Sequence, residues 1–598
     1  MKKIINYILL LSIIGTLVSC NDYLQTKSNS TFTESTAFVN LDFATKNVNA
    51  IYNQFTGIYM YDFILMFTKC DNDIEVIFTT GDDGSVANMA HYSATPGNLY
   101  IKEMWNTFYK SIEMSNIAID NLPQSPIWTG EYAAAAHQLY GEAVTLRAMN
   151  YFELMSLWGD VPFKTKETQA GDNFNLPKTD RDSIYEFLIK DLASVEDYIP
   201  WMTETHNAER VNKGFVKGLR ARMALAYAGY SLRNKTFETR RGRYWQDYYK
   251  IANTECKEIM ESGKHKLNPN FTNIFKNLHT YSQDLTYNED LFEIAFGRLY
   301  SGRLGYSFGM LFSTSPPDPK YGKCGGSVHV PCSYFYTFDK LDTRRNVSAE
   351  LYSYKDPSKL SKQTLNAPYD MTATKFRRSW IIPSMGGDLK NAVYTGVNFP
   401  IMRYSDILLM YAETENEINN GPTAAAKEAL TQVRQRAFTS DMWAAKVTNY
   451  IDSVSLNKDG FFNAIVNERA WEFGGEMLRK QDLVRWNILG SKLAEMQQAS
   501  HDIIFDVRKD VPNYIYWKYK DDGETLDILN PDYRIPGTQQ VGWNASYMWG
   551  WAKTPGYYST VMEQIAHGYD PSKNNHLYPI ASDIINTSNG VLINDQIP

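Results

Sequence analysis

Residues 133–158, Ala133-Ala134-Ala135-Ala136-His137-Gln138-Leu139-Tyr140-Gly141-Glu142-Ala143-Val144-Thr145-Leu146-Arg147-Ala148 and on through Asn150, Phe152 and Leu154 to Trp158, decide the fold. Alanine and leucine are the strongest helix formers, and the apolar positions return every three or four residues, so the stretch predicts a long helix over about 132–158. Gly159 and Pro162 follow, one ending a helix and the other unable to continue it. An Ala-rich face lets a second helix approach closely, and a similar face recurs at Ala221, Ala224, Ala226 and Ala228. Comparable periodicity predicts helices over about 43–60, 101–121, 180–198, 213–232, 244–262, 402–420, 423–438 and 461–489. Short turns such as Asn420-Gly421-Pro422 fold neighbours into antiparallel hairpins. A hairpin of this kind cannot bury its apolar face alone, so the expected class is mainly α, a stack of tetratricopeptide-like hairpins forming an α-α superhelix.

The stretches 265–400 and 500–580 differ, carrying Pro316-Pro317, Gly325-Gly326, Gly386-Gly387 and short β-prone runs such as 289–296. They read as a loop-rich, partly β region packed on one side of the helices. Loops this long in a compact protein usually carry function, so the ligand-facing surface is expected there.

The chain has 598 residues, 43% hydrophobic and 21% charged, with a formal charge of -7, the composition of an ordinary globular protein. No run of five like charges occurs, which argues against a nucleic-acid partner. Aromatics reach 14%, with 41 Tyr and 13 Trp against 29 Phe, so rings with a polar handle outnumber purely apolar ones.

Lys2 and Lys3 precede an apolar stretch from Ile4 to Ile14, then Leu17-Val18-Ser19-Cys20. This is a secretory signal over 1–19, too short to span a bilayer, which needs roughly 20 apolar residues. Leu17-Val18-Ser19-Cys20 resembles a bacterial lipobox, whose Cys is acylated and becomes the first mature residue; an ordinary signal peptide with an incidental Cys20 is the plainer reading. Each buried lipid methylene contributes ~0.8 kcal/mol, so several chains on Cys20 would hold the protein at a membrane. Residues 20–36 then form a polar tether, and 37–598 one domain.

Four cysteines remain, Cys70, Cys256, Cys324 and Cys332, in a chain routed to an oxidising compartment. Cys324 and Cys332 enclose a short loop whose closure would contribute roughly 2–3 kcal/mol; dispersed free thiols are the equal alternative. With no CxxC pair and no His at ligand spacing, no metal site is expected from cysteine. Asp71, Asp73, Glu75, Asp82 and Asp83 form an acidic cluster that reads as a solvated loop, since EF-hand spacing is absent. A bound calcium does not follow from it, and no cofactor is expected.

Four blocks, in order along nearly the whole chain, resemble the SusD/RagB family of outer-membrane nutrient-binding lipoproteins. They are Arg147 to Leu154 running into Trp158-Gly159-Asp160-Val161-Pro162-Phe163; Arg403-Tyr404-Ser405-Asp406 to Glu413 with Val433-Arg434-Gln435-Arg436-Ala437; Glu468-Arg469-Ala470-Trp471-Glu472-Phe473 with Arg479, Asp482 and Arg485-Trp486; and Leu577-Tyr578-Pro579-Ile580 to Gln596. Gly474-Gly475 and Ala581 depart from the family pattern at a helix and a turn. The resemblance implies a lipid-anchored protein on the outer face of the outer membrane that captures an oligosaccharide or polysaccharide and passes it to a SusC-like TonB-dependent transporter, acting as its lid. It implies no enzyme activity, and peptide capture, as in RagB-like members, is the alternative.

The signature residues themselves read as architecture. Glu468, Glu472 and Glu476 repeat at four-residue spacing, facing Arg469, Arg479 and Arg485 for helix-locking ion pairs; basic partners would lower these carboxyl pKa values, against an acid-catalysis role. Gly305-Tyr306-Ser307-Phe308-Gly309 matches the nucleophile elbow of serine hydrolases, which needs a strand before it and a helix after it. Flat rings with polar neighbours suit a sugar. The ligand-binding candidates are therefore Tyr92, Asn98 and Tyr100 after the first helix, and Tyr300, Tyr306 and Tyr321 in the loop-rich middle, with Tyr334 and Tyr336 nearby and a second group at Trp543, Tyr547, Trp549, Trp551, Tyr557 and Tyr558.

Overall fold

A computed structural model describes residues 37–78, 84–367, 370–381, 392–548, 558 and 562–595. Cys20 with its signal and tether, Asp82, Asp83, Gly386, Gly387, Trp549, Trp551, Tyr557 and Gln596 lie outside the described residues. Counting helices of seven residues or more, α1 is Leu41–Phe55, α2 Leu99–Asn121, α3 Ala133–Trp158, α4 Arg181–Val195, α5 Lys213–Ala228 and α6 Trp245–Ser262. Then follow α7 Phe271–His279, α8 Tyr404–Ile418, α9 Ala424–Gln435, α10 Lys458–Phe473, α11 Arg479–Arg485 and α12 Leu489–Ile504.

Helix α3 is the spine. From Gly141 to Trp158 all but one of its residues are buried, because α1, α2 and α4 cover it on several sides. Its polar members are paired: Arg147 donates to Asn116 Oδ1 at 2.8 Å and meets Asp191 at 2.6 Å, and Asn150 donates to Ser111 Oγ at 2.9 Å. Those partners fall along α2 as the α3 number rises, so the two helices are antiparallel. The pattern repeats: Lys217 of α5 meets Glu258 of α6 while Tyr227 stacks on Tyr248, and Asp406 of α8 meets Arg469 of α10 while Asn416 reaches the Lys458 carbonyl. Antiparallel neighbours thus run from α2 through α6, α8 and α10, the expected stack of hairpins. Helix α3 ends at Gly159, φ +73°, where a Cβ would sit 2.1 Å from Asn234 Oδ1.

One apolar core draws on residues from Ala37 to Leu592, so helices and loops share an interior. Across it lies a buried charge lattice. Arg403 bonds Glu289 at 2.9 Å, Glu472 at 2.8 Å and Glu476 at 2.7 Å; Arg344 meets Glu468 at 2.7 Å and Glu472 at 3.1 Å; Arg436 meets Glu289 at 2.6 Å. The expected partners of the glutamates were Arg469, Arg479 and Arg485. These instead serve Asp406 and Asp482, Asp73, and Glu413. Neighbouring positions on a helix point about 100° apart, so Arg469 faces away from Glu468 and the lattice is closed by residues distant in sequence.

The expected 461–489 helix is two, α10 and α11, parted at Gly474-Gly475, and the segments before and after it hold helices α7 and α12, which periodicity missed. Strands of three residues or more are β1 Tyr230–Leu232, β2 Thr239–Arg241, β3 Asp290–Ile294, β4 Phe399–Arg403, β5 Tyr514–Tyr519, β6 Leu526–Ile528 and β7 Asn544–Tyr547. β3 pairs antiparallel with β4, fulfilling the β-prone run at 289–296, and β5 is the centre of an antiparallel sheet ordered β6-β5-β7.

Candidate functional site

The loop-rich side carries a half-buried aromatic surface built on a small separate core of Met310, Phe312 and Cys324. Phe312 pairs by backbone bridges with both Cys324 and Tyr354. Its ring stacks on Tyr354 at 4.9 Å, and Tyr321 leans on both at 5.5 and 5.1 Å. Arg378 ties this patch to the preceding turn, its Nε donating to the Tyr321 carbonyl at 2.9 Å and Nη1 to the Gly305 carbonyl at 3.4 Å. Tyr306 follows directly, with Lys323 Nζ 5.2 Å from its ring centre and its carbonyl accepting from Gly325 N–H at 2.8 Å. His329 also makes an isolated antiparallel bridge with Val76, bringing the Phe78 ring to 4.8 Å from His329.

Gln363 joins this patch to the β6-β5-β7 sheet. Its Nε2 donates to Tyr354 Oη at 3.2 Å, its Oε1 accepts from Leu526 N–H at 2.9 Å, and its carbonyl accepts from Tyr519 Oη at 3.0 Å. Side chains alternate across a strand, so Trp517 and Tyr519 share one face, rings 5.6 Å apart, while Tyr514 and Lys518 lie on the other. Trp517 Nε1 donates to Ser546 Oγ at 2.9 Å, leaving the ring presented. Lysines rim these rings: Lys359 stands 6.0 Å from Trp517, Lys362 5.5 Å from Tyr519 and Lys320 5.3 Å from Tyr321, while on the opposite face Lys518 stands 4.7 Å from Trp543. The result is a band of tilted rings interleaved with hydrogen-bonding and cationic groups. Such a band can take the C–H face of a sugar ring and bind its hydroxyls, directly or through water.

The six sequence candidates separate. Tyr306 and Tyr321 come together across Arg378, and Tyr300, 86% exposed, lies apart on the turn before them. Asn98 is 1% exposed and caps α2, its Oδ1 accepting from Tyr100 N–H at 2.9 Å and its Nδ2 donating to the Ser85 carbonyl at 3.2 Å; with both amide ends committed it is a structural residue. Tyr92 donates to the Asp71 carbonyl at 2.8 Å and packs on Tyr569 and Lys480, and Tyr100 is half-buried at the start of α2. Tyr334 and Tyr336 are interior, Tyr334 donating to the Ala470 carbonyl at 2.7 Å. In the second aromatic group Tyr547 pairs with Tyr514 at 5.1 Å and Tyr558 with Phe505 at 5.3 Å. Sequence reading passed over Tyr354, Trp517, Tyr519 and the lysines; the alternation from Tyr514 to Tyr519 was the available signal.

Cys324 and Cys332 are both free and buried. Cys324 belongs to the small core under Tyr321, whereas Cys332 starts a turn of helix in the main core, so the loop between them spans two apolar clusters instead of closing. Gly305 to Gly309 forms a tight turn, its Gly305 N–H bonded to the Phe308 carbonyl at 2.7 Å, with no strand leading directly into it and no helix leading directly out, and Ser307 is buried. The elbow reading fails on that context. The acidic loop is not solvated as expected: Asp71 and Glu75 are buried, Asp73 pairs with Arg479 at 2.6 Å, and Glu75 accepts from Gly475 N–H at 2.7 Å and Met477 N–H at 3.3 Å, so the loop is docked against the α10–α11 break. A carboxylate cluster of Glu196, Glu255 and Glu258 encloses the Lys217 ammonium, which meets Glu258 at 2.6 Å and Glu255 at 3.2 Å, and so takes the place a cation would.

Known proteins resemble this chain over most of its length. A SusD-like protein, P25, of Formosa agariphila is 23% identical over 512 residues, covering 81% of this chain and 90% of that one, and a SusD-like protein of Bacteroides ovatus is 24% identical over 445 residues, covering 72% and 74%. The crystal structure of a SusD homolog from Bacteroides thetaiotaomicron superposes with a TM-score of 0.73 at 21% identity, covering 96% of this chain and all of that one. Surface glycan-binding protein A from the same organism, in complex with laminarihexaose, gives 0.62 at 17% identity, covering 93% and 99%. A family model described as "Starch-binding associating with outer membrane" matches residues 22–225. The model of the SusD family matches residues 289–596, more than half of the length, and the chain belongs to that family.

Proposed function

We propose that this SusD-family protein is a cell-surface glycan-binding lipoprotein, held by an acylated Cys20 in the outer membrane, that captures an oligosaccharide on the band from Tyr306 to Trp517 and delivers it to a SusC-like TonB-dependent transporter, for which it is the lid. It catalyses no reaction. The observation that carries this reading is the band itself: five half-buried rings, Tyr306, Tyr321, Tyr354, Trp517 and Tyr519, joined by Arg378 and Gln363 and edged by lysines. Half-burial holds each ring rigid while leaving a face or edge to stack, so little side-chain entropy is lost on binding. A shallow, wet surface of this kind gives reversible, moderate affinity, as handing a ligand onward requires.

The test is calorimetric titration of the chain carrying Cys20→Ala against plant, host and microbial oligosaccharides and mixed peptides. Saturable heat with a glycan is expected, weakened roughly 3- to 10-fold by Tyr306→Ala or Trp517→Ala, the equivalent of about 0.5–1.5 kcal/mol per ring. Heat with peptides alone would move the function to RagB-like peptide uptake. Full affinity in both variants would remove the site from this band.

A further inference from the structure

Between α3, α4, α5, α11 and the segment around His576 lies a cavity of about 70 Å³, room for several waters or one small anion. Six cationic side chains line it: Lys69, Arg181, Arg222, Arg469, Lys480 and Arg485. Four are matched by four carboxylates. Lys69 pairs with Glu153, Arg222 and Arg469 share Asp406, Arg469 also meets Asp482 at 2.6 Å, and Arg485 takes Asp482 at 2.8 Å and Glu413 at 2.5 Å.

Arg181 and Lys480 are left over. They are 6% and 7% exposed, and neither has a carboxylate at ion-pairing distance among the described residues. The nearby acids are committed: Asp71 Oδ2 to His91 at 2.6 Å and to Ala566 N–H at 2.6 Å, and Asp160 Oδ1 to the Arg181 backbone N–H at 3.0 Å. The Arg181 guanidinium rests 5.3 Å from the Tyr185 ring centre and bonds that side chain, and Lys480 Nζ donates to the Cys70 carbonyl at 3.1 Å and lies 3.8 Å from the Tyr92 ring centre. Gln481 Nε2, on the same cavity wall, is buried with no acceptor. Two cations without a carboxylate partner and one amide donor without an acceptor thus line one void. Burying unpaired charge and unsatisfied donors is costly, and a guanidinium cannot relieve it by losing a proton. Contrast the charge lattice around Arg403, where every cation meets carboxylates.

We propose that this cavity is a binding site for a small oxyanion, of the carboxylate or phosphate class, held by Arg181, Lys480 and Gln481. Burial lowers the Lys480 pKa to about 7, and a bound anion would restore its charge near neutral pH. The anion then acts as a staple joining the N-terminal helices to α11 and the C-terminal segment.

The experiment is thermal unfolding of the Cys20→Ala chain in Tris–chloride buffer of constant ionic strength, titrated separately with inorganic phosphate and with acetate. A saturable rise in Tm is expected with one of them, about 2 °C at ~100-fold excess over its dissociation constant, and the arm that saturates assigns the class. The rise is expected to vanish in Arg181→Gln and Lys480→Met, and Lys480→Met without added anion should be at least as stable as the parent, because it removes an unpaired buried charge. No saturable rise in either arm, an equal rise in both variants, or a Lys480→Met protein less stable than the parent in chloride alone would each overturn the site.

Discussion

Arg403 is a residue on which three opposite charges converge. It is 1% exposed and meets three glutamates from two other parts of the chain. Burial alone would favour a protonated Glu472, yet Arg436, Arg403 and Arg344 together hold its carboxyl well below the usual range. Removing one member leaves the others charged and buried, so Arg403→Met should cost about 3–5 kcal/mol in urea unfolding, and Arg403→Lys should recover little of it because an ammonium cannot reproduce the fork of bonds. A loss below about 1 kcal/mol would mean the lattice is not needed for stability. The regular spacing of Glu468, Glu472 and Glu476 made one carboxylate face legible; the identity of its cations was not, because Arg344 arrives from a loop and Arg403 from the end of β4, each more than sixty residues away.

At the scale of elements, the break between α10 and α11 is what periodicity could not place. Apolar residues continue across Gly474-Gly475 at helical spacing, but Gly475 adopts φ +86°, and a Cβ on Gly474 would lie 2.1 Å from Tyr334 Oη. The opened turn aims the N–H groups of Gly475 and Met477 at Glu75, docking the N-terminal acidic loop. Gly475→Ala forces a left-handed conformation on a residue with a side chain and should cost about 1–2 kcal/mol by chemical denaturation. A neutral result would show that the turn relaxes without penalty. Strand β5 makes the converse point. Its alternation was present in Tyr514-Ile515-Tyr516-Trp517-Lys518-Tyr519, but the face turned to Lys359 and Lys362 is selected by pairing with β6 and β7.

Across the whole molecule, buried ionisable groups set the pH range of stability. Burial, with the Glu209 charge adding to it, raises Glu293 to about 7 despite the bond it accepts from Asn398. Above about pH 4.5 the unfolded chain releases this proton while the folded chain keeps it, so folding is penalised progressively up to pH 7 and by a constant amount beyond. Glu293→Gln should therefore raise stability at pH 7–8, on the order of 1–3 kcal/mol, and leave it unchanged at pH 4. An equal gain at both pH values would assign the effect to packing. On the acid side Asp406 works oppositely. Burial opposes its charge, but Arg469 and Arg222 depress its pKa, giving stability that is full above the unfolded value near 4 and lost as pH falls below it. His279, lowered to about 4 by burial, adds to that loss between pH 6.5 and 4.

Local chemistry in the sequence by itself determined the helical class, the hairpin pairing and the family signatures, since each depends on residues within a turn or two of one another. Tertiary structure alone decided which rings share a surface. Tyr321 is joined to Tyr519 through Tyr354 and Gln363, while Asn98 and Tyr92, equal candidates by composition, are consumed by a helix cap and by core packing. The same holds for the unpaired Arg181 and Lys480: three hundred residues apart, they become neighbours when α4 and α11 close around one cavity, and no pattern along the chain records which buried charge the fold leaves without a partner.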